Sequence, residues 1–140
     1  MHSKDGSLDP NGAFAKWDQV IGGAFTSSGK PLNAYDHMEA RIKAAGFTNV
    51  QVKTYQVPHG TWAKHPMFKE AGRFNKMQLE NGMEGFAMFC LTRFGQPEPW
   101  SPEQVQAYLA EVRKELNDPR VYAYSHYRRV FAQKPLEEQK

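Results

Sequence analysis

One cysteine stands among the 140 residues, Cys90 in the run GFAMFCLTRF, so no internal disulfide can form. A free cysteine in an apolar run packs as a small hydrophobe, and its isolation fits an intracellular, cytoplasmic setting. No apolar run reaches the roughly 18 residues that a membrane-spanning helix needs, so no membrane partner is expected. The opening MHSKDGSLDP is polar and carries acidic residues, unlike a secretory signal or a transit peptide. Charge of one sign is nowhere concentrated. The 18 basic residues are spread among 15 acidic ones, the net charge is +3, and the adjacent basic pairs are only Arg113–Lys114, between acids, and Arg128–Arg129. A nucleic-acid-binding face shows clustered charge, so no nucleic-acid partner is expected. The sequence holds no Gly-x-Ser-x-Gly and no histidine beside Cys90, which leaves nucleophilic hydrolysis unsupported. Repeats and low-complexity segments are also missing, and residues 1–140 read as a single domain.

What is present suffices for a core: 40% of the residues are hydrophobic and 13% aromatic, far from the composition of a disordered chain. Asp9–Pro10 has the form of a helix start, with an acidic N-cap and proline at the first helical position. Phe14, Trp17, Ile21, Ala24 and Phe25 then recur at helical spacing until Ser27–Ser28–Gly29. A second helix is predicted from about Asn33 to Ala45, stopped by Gly46. Val50 and Val52 alternate with Gln51 and Lys53, which predicts a half-buried strand ended by Pro58 and Gly60. From Met67 to Phe94 the chain is rich in methionine and phenylalanine and is interrupted by Gly72, Gly82 and Gly85. Two helical pieces or one bent helix fit that run. Ser101, Pro102 and Gln104 make a capping box for a helix whose stripe is Val105, Tyr108, Leu109, Val112 and Leu116. RVYAYSHYRRVFAQKP is a tyrosine- and valine-rich strand, and LEEQK a frayed tail. The predicted class is α+β, mainly helical with one two-stranded antiparallel hairpin.

Several of these runs carry a resemblance. SKDGSLDPNGAFAKW, AGFTNVQVKTYQVPHGTWAKH, LENGMEGFAMFCLTR, WSPEQVQAYLAEVRKELNDPRVYAY and VFAQKP, in that order from Ser3 to Pro135, resemble the C-terminal half of fungal secondary-metabolism methyltransferases. Those are SAM-dependent enzymes of the Rossmann-like class I fold. The resemblance implies that the hairpin comes from the end of that fold and that residues 66–117 are a helical insertion capping the substrate. In that family SAM sits on a glycine-rich turn after the first strand, with an acid on the ribose after the second. No stretch here has that form, so no SAM and no other cofactor is expected of this chain. In the parent fold the last strand has neighbours on both sides. The chain is therefore expected to extend its sheet across a homodimer, or a heterodimer with a methyltransferase-like chain.

The loop VPHGTWAKH concentrates the candidate chemistry. His59 and His65 are six apart with no acidic or sulfur ligand nearby, too few groups for a metal, so none is expected. In the resembling enzymes this loop borders the substrate pocket, with an acid where His65 stands. An imidazole there suits general acid–base work. His65, His59 and Glu84 are the candidate catalytic residues. Trp62, Trp17, Phe68, Met83, Phe86 and His126 are the candidate substrate contacts, suited to a small hydrophobic metabolite. Each has a plainer alternative: solvated loop histidines, a charged helix face at Glu80 and Glu84, a core of methionine and phenylalanine. Three functions stay open. The chain is a SAM-independent enzyme of cyclisation, isomerisation or elimination, a partner subunit that completes or regulates a methyltransferase, or a binding protein without activity.

Overall fold

The computed structural model describes residues 1–32 and 34–135. Along the chain come α1 (Trp17–Ser27), α2 (Ala34–Ala44), β1 (Thr48–Pro58), α3 (Pro66–Phe94), α4 (Pro102–Leu116) and β2 (Tyr124–Gln133). The two strands pair antiparallel, with Val52 opposite Val130, Gln56 opposite His126 and Pro58 opposite Tyr124. The class is α+β, as expected; Asn33 and the LEEQK tail lie outside the described residues.

The core sits between three helices. Met83, Ala87, Cys90 and Leu91 of α3 are sealed between Ile21 and Ala24 of α1 and the Val105, Leu109, Val112 and Leu116 stripe of α4. Burying each large aliphatic side chain contributes roughly 1.5–3 kcal/mol. The Ser101 cap is formed as predicted: Gln104 N–H donates to Ser101 Oγ at 3.2 Å, and Ser101 N–H to Gln104 Oε1 at 2.8 Å.

Two elements differ from expectation. The first helix begins at Trp17, not at Pro10. Asp9 makes a tight turn instead, accepting from Asn11 N–H at 2.9 Å. The amides of Ala13 and Phe14 then donate to the Glu115 carboxylate of α4, at 2.7 and 3.1 Å. A tertiary anion takes the donors that a longer helix would have used, and Tyr108 Oη–H donates to Ala13 O at 3.1 Å beside it. The second difference settles an open choice, since Pro66–Phe94 is one helix of 29 residues. Gly72 lies where it meets the end of β1, and Gly60 N–H donates to Gly72 O at 3.0 Å. A Cβ at Gly72 would collide with the Gly60 carbonyl.

The sheet is packed unevenly. Tyr127 Oη–H reaches α3 at Asn75 Oδ1, at 2.8 Å, while Arg128 reaches α2 at Tyr35 O and Glu39. His2 forms a short bridge with Tyr124, exchanging backbone hydrogen bonds of 3.0 and 2.9 Å at the start of β2. Among the described residues the sheet has two strands, so both outer edges lack a further strand neighbour. No helix is long and apolar enough to cross a membrane among the described residues.

Candidate functional site

His65 ends the β1–α3 loop as the N-cap of α3, extended at φ −69° and ψ 128°, with Pro66 turning the chain into the helix. Its imidazole is exposed and lies edge-on to Phe68, with centroids 5.6 Å apart. Trp62 stands upstream in the same loop. It is fixed by its Nε1–H donating to Ala123 O at 3.1 Å, and its ring lies 5.7 Å from Tyr122. The register of the strands brings His126 across from Gln56, with His126 Nε2 3.5 Å from Gln56 Nε2. Together these groups border a groove of about 990 Å³ whose walls include Tyr55, Pro58, Trp62, Phe68, Tyr122 and Tyr124. His65 and His126 lie on it, with Lys4, Lys64 and Asp5 at its polar margin.

The structure thus gathers His65, Trp62, Phe68 and His126 of the sequence-derived set. Trp17 and Phe86 line a second cavity together with His126. Phe86 stacks on Phe25 at 5.3 Å and Trp17 on Tyr108 at 6.2 Å. Met83 and Glu84 join neither. Met83 is sealed in the helical core, because α3 turns that face toward α1 and α4. Glu84 points to α4, accepting from Arg113 Nη2 at 2.8 Å and Gln106 Nε2 at 2.9 Å. Those bonds hold its carboxyl below the usual carboxylate range and make it a surface strut. Glu80 pairs with Lys76 at 3.8 Å, on the surface of α3.

His59 is neither a groove imidazole nor the solvated loop histidine of the plainer alternative. It is 6% exposed, with Phe14 edge-on at 5.3 Å. Asn75 Nδ2 donates to Pro58 O at 2.9 Å and, at 3.2 Å, reaches His59 Nδ1, while its Oδ1 accepts from Tyr127. Nδ1 is therefore the acceptor, so the ring proton sits on Nε2 and is donated to Ser125 Oγ at 2.7 Å. A histidine that gives its proton to a serine cannot also withdraw one from it, and Ser125 is not an activated nucleophile. Burial, the first cause, holds the His59 pKa down at about 4, so the ring is neutral near pH 7. His59 locks the end of β1 to β2 and α3.

Asn75, Ser125 and His2 were not singled out in the sequence. Asn75 could have been found, because it falls on the buried stripe of α3 with Gly72 and Met83, where an amide must have a partner. His2 reaches the site only through its bridge to β2. No group of three or more His, Cys, Asp or Glu side chains able to hold a metal ion occurs among the described residues.

No protein-family model and no solved structure matches the chain. Curated proteins do. The methyltransferase pytC of Aspergillus terreus is 30% identical over 135 residues, covering 96% of this chain and 41% of that protein. The secondary metabolism regulator LAE1 of Cochliobolus heterostrophus is 29% identical, over 94% of this chain and 42% of its own length. The probable methyltransferase tdiE of Emericella nidulans is 26% identical over 95% and 41%. The chain spans about two fifths of the length of the curated relatives it matches. Along nearly all of its own length, this chain is similar to the C-terminal-like two fifths of fungal secondary-metabolism methyltransferases and a regulator of that metabolism.

Proposed function

We propose that the chain is a tailoring enzyme of natural-product biosynthesis, acting on a small hydrophobic metabolite by proton transfer without using SAM. The observation that carries this reading is the meeting of His65 and His126 on one groove walled by Trp62, Phe68, Tyr122 and Tyr124. Its size of about 990 Å³ suits a drug-sized molecule, since such sites span about 300–1,000 Å³. Aromatic walls hold apolar rings, and the few polar groups orient them. One imidazole takes a proton from a carbon beside a carbonyl, and the other returns a proton at a second position. Isomerisation or cyclisation then leaves the mass unchanged, and elimination releases one water. The ammonium groups of Lys4 and Lys64 at the margin suit the oxygen on which charge collects in between. No glycine-rich turn of the SAM-binding kind occurs in the sequence, which is why the cosubstrate is left out of the reading.

Substitution of the two imidazoles tests this. His65→Ala and His126→Ala are each expected to lower turnover about 10²–10⁴-fold, the usual effect of losing a positioned acid or base. Both side chains are exposed, so the melting temperature should hardly move. Trp62→Ala should instead raise KM and also lower stability, because its ring is both wall and strut. Full activity in both histidine variants would refute the assignment.

A further inference from the structure

The second cavity, of about 720 Å³, lies farther along the hairpin, against α1 and the start of α2, and meets the groove at Thr54 and His126. Trp17, Ile21, Leu32 and Phe86 give it apolar walls. His2, His126 and Arg128 give it basic groups, and among the described residues Asp18 is the one acid that lines it. Asp18 is already engaged by the Met1 amino group at 2.6 Å. We propose that this cavity binds an amphipathic carboxylic acid, its carboxylate held by Arg128, His2 and His126 and its carbon chain laid on Ile21, Leu32 and Phe86.

The guanidinium of Arg128 is loosely committed. Nη1 donates to Tyr35 O at 3.3 Å and Nη2 to Glu39 at 3.3 Å, both long beside the roughly 2.7–2.9 Å of a well-formed charged pair. Its Nε–H is shut off from solvent and has no partner among the described residues. Of five donors two are used among the described residues, and a modest rotation of the planar group presents a two-pronged face to the cavity. The rings of His2 and His126 lie 4.9 Å apart beside it. Burial, then the N-terminal charge and His126, lower the His2 pKa against the opposing pull of Asp18, so the ring meets a carboxylate as a neutral N–H donor. A single guanidinium with two imidazoles matches a monoanion, and the walls match an alkyl or polyketide chain. This cavity shares Thr54 and His126 with the groove at Trp62, so the test rests on Arg128 and Phe86, which line this cavity and not the groove.

Calorimetry with decanoate, and with decan-1-ol as the uncharged probe of equal length, tests the proposal. Decanoate is expected to bind one per chain and decanol far more weakly. Arg128→Gln should weaken decanoate about ten- to hundredfold, the range for losing a hydrogen bond to a charged group, and leave decanol unchanged. Phe86→Asp, on an exposed position that spares the guanidinium, should also abolish decanoate binding. That variant decides the matter if Arg128→Gln fails to fold. Trp62→Ala should have no effect. Equal affinity for the two probes, undiminished decanoate binding in either variant, or loss of binding only in Trp62→Ala would overturn the assignment.

Discussion

His59 puts a pH-sensitive lock at the point where β1, β2 and α3 meet. Its pKa falls from 6.5 to about 4 on folding because burial disfavours the charged ring. Between those values the unfolded chain binds a proton that the folded chain refuses, so stability is complete above about pH 6.5 and is lost as pH falls toward 4. The loss attached to this residue is of order 3 kcal/mol, at about 1.4 kcal/mol per pKa unit. Urea unfolding of the wild type and of His59→Gln at pH 7, 5 and 4 should show a steep acid slope in the first and a flatter one in the second. Parallel slopes would mean that the ring is not buried neutral. The variant should also be less stable at pH 7, since Asn75 and Ser125 lose a partner. Nothing adjacent in sequence announced this burial. His59 and His65 share one loop and look alike in the chain, and only Phe14, Asn75 and Ser125, from three other segments, separate a lock from a groove imidazole.

Among the elements, α4 was legible in the sequence because all its signals are local: Ser101, Pro102 and Gln104 begin it, and an apolar stripe fixes its face. Ser101→Ala should cost about 1 kcal/mol, read from the denaturation midpoint at unchanged slope. The start of α1 was not legible, because the carboxylate that redirects the amides of Ala13 and Phe14 belongs to Glu115, far along the chain. In α3 the glycines left open two pieces or one bent helix; the helix is continuous, and Gly72 serves a close approach to another backbone. Gly72→Ala should therefore destabilise by about 3 kcal/mol or more, since the Gly60 carbonyl cannot yield as a side chain can. Gly82→Ala, with open space at its Cβ, should stabilise by a fraction of that. If both changes were neutral, the contact between α3 and the end of β1 would be wrong.

At the scale of the whole molecule, a hairpin with two outer edges lacking a strand neighbour stands beside exposed Tyr127 and Phe131. We propose that the sheet continues into a second copy of the chain, because unpaired edge amides and carbonyls invite another strand. Sedimentation should then show a dimer, and Phe131→Asp a folded monomer. A wild-type monomer at high concentration would reject the pairing. The groove was legible in part, because Trp62, His65 and Phe68 are near neighbours in sequence, whereas His126 joins them only through the strand register. The most direct measurement of function is mass spectrometry of lipophilic metabolites from the organism that encodes the chain, incubated with purified protein and no SAM. Wild-type protein should convert at least one compound into a product of equal mass or lighter by one water, and His65→Ala with His126→Ala should not. A product that appears only when SAM is added, heavier by a methyl group, would contradict the assignment.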